Sequence, residues 1–376
     1  MDKYIEPHIE WIEETQRKLE NKLRYVRERS AEKIPYTTIN GVHDDWRYKK
    51  IGRWTNGFWA GLMWLMYMSS KDERYREIAE YNEMLLDEAL KNADDLNHDT
   101  GFMWLLSAGA NYRLFGGRDS KNRILAAASA LAARYNINAE YIRAWNGEDR
   151  LGYSIIDCMM NLPLLYLASD ITHDPRFKLI AEKHAMSAMK NHLRPDGSVY
   201  HVINYDIQTG EVTIPDKTQG YNSKTSSWSR GQAWAVYGFV LSYIHTGNTA
   251  FLDASKRAAH YFIANLTEDS VPLCDFRAPD MPVYHDTSAG TCAACGLLEL
   301  YRIVPEHEKK LYFNSAMRIL KATERDYADW DCENDTLIKN GCEAYHDGLQ
   351  DLPLIYGDYY FAEALYKLRG GDVLLW

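Results

Sequence analysis

Residues 57–75 read Gly57-Phe-Trp-Ala-Gly-Leu-Met-Trp-Leu-Met-Tyr-Met-Ser-Ser-Lys-Asp-Glu-Arg-Tyr75. A helix formed by the first part of this stretch is apolar nearly all round, so it must be buried on every side. A short polar turn begins at Ser69, and an amphipathic helix follows it, with apolar residues at Ile78, Ala79, Leu85 and Leu86. That spacing is typical of a half-exposed helix. The stretch therefore predicts a hairpin that joins a buried helix to a half-exposed one.

The same order recurs along the chain. Further polar turns begin at Gly116, Thr172, Thr246 and Pro305, and an amphipathic helix is predicted after each of them. Another amphipathic helix is predicted near the N-terminus, at about 5–28. Six buried helices therefore alternate with six half-exposed ones. The buried helices are predicted at about 57–68, 101–115, 153–170, 230–245, 288–303 and 357–369.

Every one of these helices can bury its apolar face if the six apolar helices form an inner ring that the six amphipathic helices surround. We therefore predict an all-α fold, an (α/α)6 toroid of six helical hairpins, with an open superhelical solenoid as the alternative. Val199–Tyr205 and Glu211–Ile214 predict a small inserted β-hairpin. No linker rich in Pro, Gly or Ser divides the sequence, so residues 1–376 are predicted to form a single domain.

Composition narrows the classes of function. The chain has 376 residues and a net charge of −10, which disfavours binding to nucleic acid or to an anionic membrane surface. Its 11 Trp and 27 Tyr, against 10 Phe, suit half-polar ligands such as sugars, although packing in a large core is an equal explanation. The sequence lacks an apolar signal core and any apolar run near the roughly 20 residues of a membrane span. With its six sparse cysteines, the protein is predicted to be cytoplasmic with reduced thiols.

Tryptophan and polar residues gather just before the buried helices or in their first turns. Parallel inner helices would bring these clusters together at one mouth. Asp286 and Asp358 have an alternative explanation as ordinary N-caps, but capping does not account for the accompanying Trp, His and Arg. The clusters are Trp54-Thr-Asn-Gly-Phe-Trp59, Asn97-His-Asp-Thr-Gly101, Tyr153-Ser-Ile-Ile-Asp157, Trp228-Ser-Arg-Gly-Gln-Ala-Trp234, His285-Asp-Thr-Ser288 and Tyr356-Gly-Asp-Tyr-Tyr360.

Asp99 and Asp157 are the candidate catalytic residues. Asp157 lies in an apolar run, where a charged group is costly unless it has a partner; a buried cap or ion pair is the alternative explanation. Two carboxyl groups in one apolar cleft separate their pKa values, so one of them can serve as a general acid and base near neutral pH. Cys292 and Cys295 form a C-x-x-C within a run of small residues, which favours a packed helix. We predict no metal and no cofactor.

The mouth can also bind an anion. Six parallel helix N-termini place partial positive charge there, and Arg230 lies among Trp228 and Trp234 in the sequence. An acidic sugar is therefore a reasonable ligand despite the negative net charge. The alternative for Arg230 is an ion pair with one of the aspartates at the rim.

At these residues the chain resembles the unsaturated glucuronyl hydrolases, glycoside hydrolase family 88, whose fold is a six-hairpin α/α toroid. The resemblance runs from about Trp54 to the C-terminus, and the first 50 residues match poorly; no role for Ser30–Tyr48 follows from the sequence. It is carried by Trp54-Thr-Asn-Gly-Phe-Trp59, His98-Asp-Thr-Gly-Phe102, Ile155-Ile-Asp-Cys-Met-Met-Asn-Leu-Pro163, Ser227-Trp-Ser-Arg-Gly-Gln-Ala-Trp234, Asp286-Thr-Ser-Ala289 and Gly357-Asp-Tyr-Tyr360.

The resemblance implies an enzyme that removes a 4,5-unsaturated uronic acid from the non-reducing end of glycosaminoglycan-type oligosaccharides left by lyases. The family hydrates the C4=C5 enol ether. By analogy, Asp157 would protonate C4 and deprotonate the water that attacks C5, and Asp99 would keep Asp157 protonated through like-charge coupling. Family 105, the unsaturated rhamnogalacturonyl hydrolases, and a carbohydrate-binding toroid without activity are the alternatives. The protein would be a monomer or a homodimer.

The resemblance also implies residues that bind the substrate. The chain departs from the family at Asn97, where His is common, and at Cys274 and Tyr356, where Trp is common. The first departure lies beside the catalytic pair and could change its pKa values. The implied aromatic walls and polar contacts are Trp54, His98, Trp145, His201, Gln219, Arg230, Trp234 and Tyr345.

Overall fold

Twelve helices form two rings in the computed structural model, which describes residues 2–376. They are numbered α1 to α12 in chain order. The inner helices are α2 (Phe58–Ser70), α4 (Thr100–Trp104, Leu105–Gly109 and Ala110–Phe115 in one run), α6 (Pro163–Thr172), α8 (Ser229–Thr246), α10 (Thr287–Ile303) and α12 (Ile355–Leu368). The outer helices are α1 (Ile9–Arg29), α3 (Glu73–Leu85), α5 (Arg118–Ala132), α7 (Pro175–Asn191), α9 (Thr249–Ala264) and α11 (Glu306–Tyr327).

The inner ring is closed. Each inner helix packs against the next one along the chain, and α12 packs against α2. Residues Ser229–Ser242 of α8 are all buried, whereas the outer helices bury one face only. The toroid prediction is therefore confirmed, and the open solenoid is wrong. Among residues 2–376, no helix combines the length and the apolar character that crossing a membrane requires.

The turns from inner to outer helices repeat one local geometry. In three hairpins the inner helix ends at a residue in the left-handed conformation, and the next residue caps the outer helix through its side chain. Asp72, Asp174 and Asn248 accept hydrogen bonds of 3.0 to 3.1 Å from backbone N–H groups two residues ahead. This capping satisfies donors that a helix start leaves free.

The third inner helix is shorter than predicted. The expected helix at 153–170 begins only at Pro163, and Tyr153–Ile155 before it is a strand. Because this segment pairs with Val202–Tyr205, its backbone is satisfied in a sheet. Ile156–Met160 then forms a 3₁₀ turn. Proline at the first helical turn, which has no N–H to donate, is a favoured start.

The strands are short and antiparallel. The predicted hairpin is confirmed, and the strand at Tyr153–Ile155 extends it to three strands. The strands are β1 (Thr38–Ile39) with β2 (Val42–His43), β3 (Tyr135–Asn136) with β4 (Tyr141–Ile142), and the sheet of β5 (Tyr153–Ile155), β6 (Val202–Tyr205) and β7 (Val212–Thr213). The shorter helices are Glu6–His8, Trp54–Gly57, Asp87–Leu90, Ala93–Asp95, Glu148–Arg150 and Ile156–Met160.

Aromatic side chains fill the centre of the ring. The ring of Trp376 stacks on Tyr360, with centroids 6.0 Å apart, and meets Phe102 edge to face at 5.9 Å. Above this layer Trp54 lies 4.9 Å from Tyr356 and 6.4 Å from Trp234. The aromatic layer therefore closes the barrel beneath Trp54.

The contact between Gly238 and Met159 is a test of the tight inner packing. A Cβ on Gly238 would lie 2.5 Å from Met159 Cβ and 2.9 Å from its carbonyl carbon. We expect Gly238→Ala to lower the free energy of unfolding by about 1–3 kcal/mol in urea denaturation, because the backbone must shift. Gly357→Ala is the control, since its Cβ would meet nothing nearer than 3.4 Å. Equal stability of the two variants would contradict this packing.

Candidate active site

A cavity of about 270 Å³ opens at the end of the barrel where the inner helices begin. A larger groove of about 690 Å³ lies between α7 and the β-sheet, but its lining holds one acidic side chain, Glu140, and no carboxylate pair. The smaller cavity is lined by Lys50, Arg53, Trp54, Asn97, His98, Asp99, Trp145, Ile155, Asp157, His201, Gln219, Trp228, Arg230 and Glu343.

The N-termini of the inner helices supply most of this lining. Trp54 lies in the 3₁₀ turn before α2, Asp99 directly precedes α4, and Arg230 is in the first turn of α8. Asp157 lies in the 3₁₀ turn before α6, while His201 precedes strand β6. The structure thus brings the two predicted acids into one cavity, as their positions before parallel helices predict.

The two carboxyl groups occupy different electrostatic environments. Burial, assisted by the negative charge of Asp157, raises the pKa of Asp99 to about 8; Arg134 and Asn97 oppose this shift. Burial acts to raise the pKa of Asp157 as well, but His201 and Arg230 outweigh it and hold that pKa below its usual value. In the free protein near neutral pH, Asp99 therefore carries a proton and Asp157 is ionised.

This order of protonation in the free protein differs from the one that the resemblance implies for the reaction, and the catalytic roles of Asp99 and Asp157 remain predictions. Asp99 was expected to keep Asp157 protonated, yet in the free protein the proton lies on Asp99. The physical reason is the position of His201, whose Nε2 is 3.4 Å from Asp157 Oδ1. The pair as a whole still retains one proton, which is the property that general acid–base chemistry requires.

Hydrogen bonding assigns the tautomer of His201. The backbone N–H of Gln219 donates to His201 Nδ1 at 3.2 Å, so the neutral imidazole carries its proton on Nε2, the atom that faces Asp157. His98 lies beside the other acid, with its Nε2 3.4 Å from Asp99 Oδ1. Burial lowers the pKa of His98 to about 3, so this ring is neutral and positions Asp99 without adding charge.

Asn161 connects the two acidic segments. Its Oδ1 accepts a hydrogen bond of 2.8 Å from the backbone N–H of Phe102, and its Nδ2 donates to the carbonyl of Asp157 at 3.2 Å. Gly101 permits this contact, because a Cβ there would lie 2.5 Å from Asn161 Cα. The side chain is fully buried, so it fixes the turn before α6 against the start of α4.

Arg230 is held by the protein as well as lining the cavity. Its Nη1 lies 3.2 Å from Asp286 Oδ2, and its Nη2 donates to the carbonyl of Glu343 at 2.7 Å. The ion pair with a rim aspartate, left open by the sequence, is therefore present. Asp286 also caps α10, and Asp358 accepts from the backbone of Ile338 at 2.9 Å, so both acids have structural partners.

Two predicted binding residues do not line the cavity. Trp234 is 1% exposed and packs beneath Trp54, where it supports the wall of the cavity. Tyr345 is also buried; its backbone N–H donates to the carbonyl of Gln219 at 2.8 Å, and its ring packs against Tyr284 and Tyr221. The other predicted residues, Trp54, His98, Trp145, His201, Gln219 and Arg230, line it. Their roles remain predictions.

Six cavity residues were not among the predicted catalytic or binding residues: Lys50, Arg53, Asn97, Ile155, Trp228 and Glu343. Ile155 contributes an apolar edge, and Lys50, Arg53 and Glu343 add charge. Arg53 immediately precedes the Trp54 cluster, and that adjacency was the available signal. Glu343 lies in a loop between α11 and α12 that has no helical pattern, so the sequence gives no means of placing it.

Asn161→Ala tests the connection between the acidic segments. We expect a loss of about 1–3 kcal/mol in the free energy of unfolding, since the buried N–H of Phe102 would lack an acceptor. Urea denaturation measures it. Asn82→Ala is a matched control, because Asn82 is equally buried but donates only to the carbonyl of Ile78 within its own helix. A larger loss in the control would contradict the proposed connection.

The raised pKa of Asp99 predicts a pH-dependent stability. The unfolded chain releases this proton near pH 4, whereas the folded protein holds it to about pH 8, so the group lowers stability progressively as the pH rises between these values. Asp99→Asn removes this titration. We therefore expect the stability of the variant relative to the wild type to rise from about pH 4 to about pH 8, in urea denaturation at stepped pH. Asp149→Asn, at an exposed carboxyl, should give a flat difference.

The chain matches a known protein family. The model of Glycosyl Hydrolase Family 88 matches residues 26–274. This match begins at residue 26, earlier than the start near Trp54 that the motifs indicate, and leaves residues 1–25 outside it.

Individual relatives give the same result. The unsaturated glucuronyl hydrolase of Bacillus sp. (strain GL1) is 37% identical over 86% of this chain and 88% of its own length. An unsaturated chondroitin disaccharide hydrolase of Streptococcus pyogenes serotype M1 is 34% identical over 84% of this chain and 80% of its own. The crystal structure of the Bacillus sp. GL1 enzyme superposes with a TM-score of 0.90 at 33% identity, covering 96% and 97% of the two chains. The chain belongs to glycoside hydrolase family 88.

Proposed function

We propose that this enzyme removes a 4,5-unsaturated uronic acid from the non-reducing end of lyase-generated glycosaminoglycan oligosaccharides by hydrating the C4=C5 bond. The observation that carries the proposal is the cavity that Asp99 and Asp157 line together, in which the pKa of Asp99 is raised and that of Asp157 is lowered. Asp99 and Asp157 are the two aspartates of that lining, and its remaining carboxyl group, that of Glu343, is paired with Arg53.

The lining suits a single terminal sugar with a carboxylate. Trp54 and Trp145 offer apolar ring faces, and Arg230 supplies positive charge on the side of Asp157. Arg230 is fixed by four hydrogen bonds, so it loses little further freedom when a carboxylate binds. His201 and Gln219 adjoin the same side of the cavity and complete the proposed uronate contacts.

The proton must reach Asp157 before the chemical step. A uronate bound at Arg230 adds a negative charge beside Asp157, which disfavours the ionised form of that carboxyl and favours transfer of the shared proton from Asp99. Asp157 then donates this proton to C4. The resulting carboxylate takes a proton from the water that attacks C5, and the hemiketal that forms opens to release the remaining sugar.

A hydrolase of unsaturated rhamnogalacturonides would use the same chemistry. The match to family 88 and the relatives named unsaturated chondroitin disaccharide hydrolases favour a substrate that lyases release from a glycosaminoglycan. The alternative of a binding protein without activity is disfavoured because both acids lie in the cavity. We propose the cytoplasm as the place of action, because six cysteines are few for a chain of 376 residues.

Asp157→Asn tests the assignment. We expect turnover to fall by at least about a thousandfold, since the amide can neither give nor take the proton. Loss of the ultraviolet absorbance of the conjugated C4=C5 bond, in a panel of chondroitin-, hyaluronan-, heparin- and pectin-derived disaccharides, measures turnover and identifies the substrate.

Asp358→Asn is the matched control for this experiment. Burial raises the pKa of Asp358 to about 8, as it does for Asp99, but Asp358 lies outside the cavity. The control should retain turnover if it folds, and unfolding curves of both variants show whether they do. Turnover that persists in Asp157→Asn would disprove the role of Asp157.

A further inference from the structure

The segment before α2 holds one arginine at the cavity. The guanidinium of Arg53 packs in the corner between two nearly perpendicular aromatic rings, 4.0 Å from the centroid of Tyr36 and 4.2 Å from that of Trp46. Asp44 accepts a hydrogen bond of 2.7 Å from Trp46 Nε1 and one of 2.9 Å from the backbone N–H of Tyr36. Both rings are therefore fixed, and a guanidinium that packs against both of them has little freedom to move.

Glu343 sets the direction of the same arginine. Arg53 Nη2 donates to Glu343 Oε1 at 3.0 Å, and the hydroxyl of Tyr36 donates to Glu343 Oε2. The backbone carbonyl of Tyr36 accepts from the N–H of Ile355 at 3.0 Å, which ties the group to the start of α12. Arg53 and Glu343 are both mostly buried, with side chains 18% and 24% exposed.

Arg53 still has donors to offer. In the described residues its Nη1 makes no hydrogen bond, and its Nε is buried without a partner. A fixed arginine with an unused donor in a cavity lining is suited to bind an oxygen of a ligand, because little entropy remains to be lost. Neither Nη1 nor Nε of Arg53 is used for a hydrogen bond within the described fold.

The neighbouring carboxylate determines which oxygen is suitable. Glu343 brings a full negative charge into the same part of the cavity and compensates the charge of Arg53. An uncharged sugar hydroxyl accepts from Arg53 and can donate to Glu343. A sulfate group would also accept a hydrogen bond from Arg53, but the negative charge of Glu343 would repel it.

We infer that Arg53 and Glu343 form a specificity-determining subsite for the uncharged sugar next to the uronate, and that this subsite discriminates against a sulfated one. The inference rests on the proposed function, since it names the sugar that this reaction releases. It also gives the segment from Ser30 to Lys50 a role: Tyr36 and Trp46 position the arginine.

The experiment compares two substrates in three variants. The substrates are the unsaturated chondroitin disaccharide without sulfate and its sulfated counterpart. The variants are Arg53→Lys, Glu343→Gln and Arg47→Gln. Arg47 is the matched control, because it lies in the same segment and pairs with Asp45 but does not line the cavity.

For the wild type we expect kcat/KM to favour the unsulfated disaccharide by at least about tenfold. Arg53→Lys should raise KM for that disaccharide by about tenfold or more and leave kcat within about twofold, because the lost contact serves binding only. Glu343→Gln should reduce the preference to within about threefold, and Arg47→Gln should change neither constant. A general structural defect would instead lower kcat for both substrates.

Two outcomes would contradict the proposed subsite of Arg53 and Glu343. It fails if Arg53→Lys leaves KM unchanged or lowers kcat alone, or if Glu343→Gln keeps the full preference. If Arg53→Lys does not fold, as thermal unfolding would show, Glu343→Gln alone decides. If the wild type turns over neither of these disaccharides nor any other member of the panel, the proposed function fails; dissociation constants from calorimetry on the same proteins then test the subsite separately.

Discussion

Closure of the inner ring is the constraint on which the rest of the structure depends. An inner helix such as α8 is apolar on all sides and is stable only when other helices surround it. A closed ring of parallel helices satisfies this need, and it also brings six helix N-termini to one end of the barrel. The same packing that removes apolar surface from water therefore assembles the cavity, and Asp99 and Asp157, distant in sequence, become neighbours without a dedicated linker between them.

The cavity then separates the two acids by their surroundings. Asp99 has a neutral histidine beside it and stays protonated, whereas Asp157 faces the Nε2 of His201 and the charge of Arg230. Asn161 keeps the two segments at a constant spacing. This asymmetry means that the substrate's own carboxylate can control the position of the proton. A neutral sugar in the same site would add no negative charge beside Asp157 and so would not favour its protonation.

Sequence patterns predicted the helices better than the site. Apolar runs without a polar face identified five of the inner helices closely, because such runs have one physical solution. The segment Tyr153–Ile155 was mistaken for helix, since its strand depends on pairing with Val202–Tyr205, a contact distant in sequence. Trp234, which the resemblance implies as part of an aromatic wall, is 1% exposed and packs beneath Trp54, a depth that the sequence pattern does not reveal. The order of protonation could not be predicted, because it depends on a 3.4 Å contact with His201.

The residues that sequence reasoning missed share a physical origin. Arg53 and Glu343 come from segments without helical periodicity, and their relation is visible only when the chain has brought residues 30–53 against the loop before α12. Asp99 and Asp157 lie just before the N-termini of inner helices, and the helical periodicity of the sequence reveals where these helices begin. The irregular segments of the barrel place the groups that contact the second sugar. Because loops tolerate substitution better than packed helices do, specificity can change at Arg53 or Glu343 while the ring and its proton-sharing acids remain as they are.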